Sequence, residues 1–192
     1  MKIKQILLFA ILLIFVSGCV AKKRVLNIQN ENLCSTAVAT LYLNKLEIKN
    51  SADSFNIPED KIKAALADSL KETNCFRVSI QERDEESLNV EDEYLLDIKA
   101  TLFQEKETSK KNIFKKEQKE FLSLTLALYA YNKSKNVSAK TTSELLANKS
   151  KILGLTIQDE QERDRKTVLT NATKQVSILL KDGFDKLQDS RH

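Results

Sequence analysis

The side chains best suited to covalent, metal or acid–base chemistry in this 192-residue chain are three cysteines, one histidine and scattered carboxylates. Cys19 stands directly behind Val16-Ser17-Gly18 and an apolar run from Ile6 to Val16, whereas Cys34 and Cys75 lie far downstream. His192 is the last residue, so the body of the chain offers a zinc ion no imidazole. Asp97 and Glu144 are carboxylates of the kind that form acid–base pairs, but nothing in their spacing brings them together. Residues 20–192 contain no Gly-rich phosphate loop, no Gly-x-Ser-x-Gly, no His-Glu-x-x-His and no Cys-x-x-Cys. The expectation is a chain with no catalytic residues, no metal and no cofactor, and hence not an enzyme.

The amino terminus carries the strongest signal. Lys2 and Lys4 precede eleven uninterrupted apolar residues, the order of an export signal. Eleven residues fall short of the ~20 that a spanning helix needs. Val16-Ser17-Gly18-Cys19 resembles the bacterial lipobox, an aliphatic residue and two small ones before an obligatory cysteine. The resemblance implies cleavage between Gly18 and Cys19, a diacylglyceryl group on the Cys19 sulfur and acylation of the freed amine with a fatty acid such as palmitate. One acyl chain holds a protein only marginally, and two or more hold it stably, at about 0.8 kcal/mol per buried methylene. Val20 and Ala21, rather than Asp, follow the cysteine. By the sorting pattern of enteric bacteria this places the body at the outer membrane, facing the periplasm, rather than at the inner membrane.

Cleavage at Cys19 would leave 29 basic and 27 acidic side chains, with a formal charge of +2. That weak field argues against a nucleic-acid partner. With Cys19 taken by lipid, Cys34 and Cys75 remain in a compartment that permits disulfides. They read either as a bonded pair at one end of a sheet or as two separate thiols. The implied organisation is a signal peptide over 1–18, a lipidated tether over 19–36, one periplasmic domain over 37–187 and a tail over 188–192.

Within the domain, Ala37 to Ile48 is rich in strand-compatible residues, with Leu41 and Leu43 on one face and Tyr42 on the other. Pro58, Glu59 and Asp60 open a helix that carries Ile62, Ala65, Leu66, Ser69 and Leu70. Phe76, Val78 and Ile80 alternate as a short strand, and an acidic run, Gln81 to Glu93, follows as a solvated loop. Tyr94 to Phe103 and Leu122 to Ala130 alternate as two further strands. Glu105 to Glu120 between them, with six Lys and four Glu, reads as a long hairpin loop. Ile113 and Phe114 at its tip are the candidate contact for a partner or a lipid headgroup layer. Val137 to Ser143 suits a polar edge strand. After Gly154, Val168, Leu169, Ala172, Val176, Leu179, Leu180 and Leu187 mark one stripe of a second helix. The expected fold class is α/β (α+β), a four- to five-stranded mixed sheet with two helices on one face.

This order of elements resembles the amino-terminal domain of TolB and its periplasmic lipoprotein relatives, among them the curli-secretion lipoprotein and the lipoprotein activators of penicillin-binding proteins. The residues that carry it are Val38 to Leu46, the stretch Ala64 to Val78 with Leu66, Leu70 and Phe76, and Glu93-Tyr94-Leu95-Leu96. The chain departs after Tyr131, where many relatives have a Gly turn and a Trp and this sequence has Asn132-Lys133-Ser134-Lys135-Asn136. The resemblance implies a non-enzymatic assembly or regulatory module. It would be held to the membrane by its lipid and docked to an envelope protein through the edge strand or the Lys-rich loop, with a homo-oligomer left open. Two other readings are an auxiliary lipoprotein of a lipid or lipopolysaccharide transporter, which would offer an apolar groove, and an envelope enzyme.

Overall fold

The computed structural model describes residues 28–50, 56–81, 83–88, 91–112, 115–152 and 158–189. Five strands form one mixed sheet: β1 (Ala39–Asn50), β2 (Phe76–Ser79), β3 (Glu93–Asn112), β4 (Lys115–Tyr131) and β5 (Asn136–Ile152). Two helices, α1 (Glu59–Glu72) and α2 (Gln158–Asp189), pack against it. The sheet order is β2-β1-β3-β4-β5. β1 runs parallel to both β2 and β3, and β3, β4 and β5 form an antiparallel meander. This is the expected α+β architecture.

Period-two alternation explains why one face is buried. Leu96, Ile98, Ala100 and Leu102 on β3 stand opposite Ala130, Leu128, Leu126 and Leu124 on β4, and all eight are buried. Fully burying each leucine contributes about 1.5–3 kcal/mol. The helices supply the other half of the core, with Ile62, Leu66 and Leu70 from α1 and Val168, Ala172, Val176 and Leu180 from α2. The expected stripe of α2 is corrected at one position: Leu179 is 42% exposed, and Phe184 is buried one turn further on. Phe184 meets Phe76 and Tyr94 edge-on, with centroids 5.4 and 4.9 Å away. A helix turns 3.6 residues per cycle, so Val176 is followed on its face by Leu180 and Phe184, not by Leu179.

Gly183 lets α2 lie close to β5. A Cβ at this position would stand 2.5 Å from Val137 Cγ1, so the close approach needs a residue without one.

β1 contains a bulge. Leu43 pairs with Leu96 and Leu46 pairs with Ile98, so Asn44 and Lys45 together oppose Asp97. The extra residue moves Leu46 and Ile48 onto the core face that Leu41 and Leu43 occupy.

Glu105–Glu120, read from sequence as a hairpin loop, is instead mostly ladder. Pairing continues without a break through Lys106↔Glu120, Glu107↔Lys119 and Thr108↔Gln118 to Lys110↔Lys116. At two of these rungs, Lys106↔Glu120 and Glu107↔Lys119, opposite charges stand across from each other. The Glu120 carboxylate, buried at the base of this arm, is held by the Gln104 amide and lies 3.8 Å from Lys106 Nζ. The expected edge strand, Val137 to Ser143, is likewise only the first part of a longer β5, which runs on to Ile152.

Candidate anchor and docking surfaces

The segment that leads into β1 is fastened to the end of α1. Asn30 is fully buried and its Nδ2 donates to Ser69 O at 2.9 Å. The backbone N–H of Asn32 donates to Glu72 O at 2.9 Å, and those of Leu33 and Cys34 donate to Thr73 O at 2.8 and 3.2 Å. A helix leaves its last carbonyls without internal partners, and this segment supplies them. Asn74, with φ 59°, turns the chain out of the helix, and its side-chain amide donates to Asn32 Oδ1. Cys75 then bonds Cys34, with Cα atoms 5.0 Å apart. Of the two readings of these cysteines, the bonded one holds. Asn30 to Cys34, which fall within the stretch 19–36 expected to be a tether, are thus fastened to the folded body.

The face of the sheet away from the helices carries a polar and aromatic cluster. Tyr42 Oη donates to Glu93 Oε1 at 2.9 Å, and the Arg83 guanidinium sits 4.5 Å above the Tyr42 ring and 3.5 Å from Glu93 Oε2. Leu88 of the acidic loop packs on Tyr42 and Leu95. That loop, expected to be wholly solvated, is thus pinned over one end of this face. Beside it Asn44 Nδ2 donates to Asp97 Oδ1 at 2.9 Å and to Tyr131 Oη at 3.3 Å, while Tyr129 stacks on Tyr131 at 5.4 Å. Burial, reinforced by the Glu93 hydrogen bond and charge, pushes the Tyr42 hydroxyl above the usual tyrosine range. Burial and then the charge of Asp97 raise Tyr131.

Asp97, the carboxylate that could have served catalysis, has a structural task. It accepts the Lys45 backbone N–H at 3.3 Å and the Asn44 amide, satisfying the donors that the β1 bulge displaces. Glu144 lies far from it. Asp97 shares a cross-strand row with Tyr129 and Ser138, and Glu144 shares one with Ser123 and Phe103. Six strand residues separate these rows, which is roughly 20 Å. The two carboxylates do not converge.

Further along the same face, Phe103 and Phe121 meet edge-on at 6.1 Å and Leu146 stands opposite Phe121. Phe103 is 41% and Leu146 57% exposed. At the β5 edge, on the helix side of the sheet, a groove of about 490 Å³ runs between Val137–Lys140 of β5 and Leu179, Gly183 and Leu187 of α2.

Gly18, Cys19, Ile113, Phe114 and His192 lie outside the described residues. Among the described residues no helix is long and apolar enough to cross a membrane, and no group of three or more His, Cys, Asp or Glu could hold a metal ion. The tyrosine cluster is the feature that sequence reasoning missed. Tyr42, Tyr129 and Tyr131 each occupy the outward position of an alternating strand, and only the β1–β3–β4 pairing joins them.

No family model matches the chain, and no curated protein matches its sequence. Solved structures do match its fold. A neuraminyllactose-binding hemagglutinin homolog from Helicobacter pylori superposes with a TM-score of 0.52 at 15% identity, over 85% of this chain and 95% of that one. A minor lipoprotein from Acinetobacter baumannii is matched at TM-score 0.38 and 15% identity, over 76% of this chain and 92% of that one. The rare lipoprotein B from Shewanella oneidensis is matched at TM-score 0.30 and 10% identity, over 78% of this chain and all of that one. The first of these likenesses places the chain in an α+β fold that occurs on a bacterial protein of nearly the same extent.

Proposed function

We propose that this chain is an envelope lipoprotein, anchored through acylated Cys19, that acts without catalysis as an assembly or regulatory module for a larger envelope machine. The observation that carries the reading is the run of basic residues, eleven apolar residues and Val16-Ser17-Gly18-Cys19 ahead of a folded body. The Cys34–Cys75 bond supports it, since disulfides persist in exported proteins and are rare in the cytosol. It also accounts for the other two cysteines and leaves Cys19 as the thiol for lipid. The commitment of Asp97 to the β1 bulge and its separation from Glu144 support a non-catalytic role. A tether replaces tight affinity by raising the local concentration of the body near other membrane-bound proteins. The TolB-like resemblance fits such a module, and the orientation we favour is the outer membrane, facing the periplasm.

Intact-mass analysis of the chain recovered from membranes tests the anchor. The expected product begins at Cys19 and carries a diacylglyceryl group and a further acyl chain, and Cys19→Ser retains its leader. A bare Cys19 in a water-soluble fraction refutes the anchor. In-cell crosslinking then tests the module, and the absence of any envelope protein among the products counts against it.

A further inference from the structure

β5 is an edge of the sheet, seventeen residues long, and its ladder with β4 shows no register shift. Edges of this length are normally interrupted by proline, a bulge or inward charge, because an unpaired strand recruits another strand. Between Val137 and Ala147 there is no proline, and the charged residues, Lys140 and Glu144, are both exposed on the open face. We propose that two copies of this chain pair through β5, antiparallel, about a two-fold axis at Thr142.

The register follows from the side chains. An antiparallel pair must match open-face residues with open-face residues, so the axis has to fall on a residue. With the axis on Thr142, Lys140 of each copy faces Glu144 of the other. An axis on Lys140 or on Glu144 sets like charges against each other, and one on Thr141 or Ser143 leaves both charges facing uncharged residues. The helix-side rows between Val137 and Ala147 agree with the Thr142 register. On the helix side Val137 faces Ala147, Ala139 faces Leu145 and Thr141 faces Ser143, so that larger residues meet smaller ones and no charge is buried. The groove beneath α2 is lined by Val137, Ala139 and the exposed Leu179, on the rows that receive Ala147 and Leu145 of the second copy. A two-fold axis makes both halves of this contact the same surface, as in the commonest homodimers. The pairing does not depend on the lipid anchor.

Thr142→Cys in the purified full chain provides the test. Directly opposed strand residues have Cα atoms about 4.5–5.5 Å apart, within the span of a disulfide. Mild oxidation is expected to convert the Thr142→Cys variant to a covalent dimer on a non-reducing gel, well above the level shown by the parent chain. Ser138→Cys, whose partner is Leu146, is expected to stay at the parent level. Lys140→Glu or Glu144→Lys turns both charge pairs repulsive and is expected to lower the dimer yield about tenfold, and the combined swap restores it. A Thr142→Cys variant that remains monomeric, Ser138→Cys crosslinking as well as Thr142→Cys, or a swap without rescue overturns the register. A monomeric mass for the unmodified chain at every concentration in sedimentation overturns the dimer itself.

Discussion

The two faces of the sheet are built by the same strands and do opposite work. Toward the helices, β3 and β4 present an uninterrupted ladder of leucine, isoleucine and alanine. Away from them the intervening residues mix tyrosine, threonine, lysine and aspartate with a few apolar side chains such as Leu95 and Phe103, and hydrogen bonds such as that between Thr125 and Thr142 at 2.8 Å tie them together. The first face supplies the free energy of folding and tolerates little change. The second contributes modest amounts per residue and is free to specify contacts.

The comparison breaks first on the covered face. Leu126, fully buried, is expected to cost about 2–5 kcal/mol when replaced by alanine, read from chemical denaturation. A loss below ~1 kcal/mol would show that the helices do not seal the ladder. Replacing Cys34 and Cys75 together by serine removes a bridge that spans 41 residues, with an expected loss of about 2–4 kcal/mol in the same assay. Gly183→Ala gains about 1 kcal/mol of helix propensity but forces a methyl onto Val137, whose branched side chain has little room to turn. Overpacking costs about 1–3 kcal/mol, so a net loss near 1 kcal/mol is expected, and Val137→Ala in the same chain should relieve it.

The open face sets the smaller end of the scale. Tyr42→Phe deletes one hydrogen bond to Glu93 and is expected to cost about 0.5–1.5 kcal/mol. It also sharpens the contrast through pH. The folded chain holds the Tyr42 and Tyr131 protons more tightly than the unfolded chain. Their contribution is therefore complete below the usual tyrosine range near pH ~10 and is lost as pH rises through the higher folded values. Denaturation midpoints should fall above that pH, and less steeply in the variant Tyr42→Phe/Tyr131→Phe.

How far these faces are legible in the sequence depends on which interactions make them. Tyr94 to Phe103 and Leu122 to Ala130 alternate strictly, and one side of the alternation is apolar, so strand and face follow at once. The arm beyond Glu105 has the composition of a loop. The opposite charges along it face each other only once Lys106 meets Glu120 and Glu107 meets Lys119. The β1 bulge is invisible locally because its reason, Asp97, lies 52 residues from Lys45. Asn30 and Asn32 look like loop residues, since amides that close a helix end and amides in solvent have the same sequence signature. The cysteine pairing stayed open for a related reason. Cys75 precedes β2, and its direction is set by the turn at Asn74 rather than by strand parity.

The clasp at the end of α1 decides how force enters the body. Ten residues lie between Cys19 and Asn30, so the anchor proposed at Cys19 would hold the body on a leash of at most about 40 Å when fully drawn out. Tension arriving along it meets the fold at Asn30 to Cys34 and crosses a covalent bridge to Cys75 before it can load the first rung of β1. On the anchoring proposed above, a tug from the bilayer would swing the domain as a rigid handle instead of peeling its sheet strand by strand.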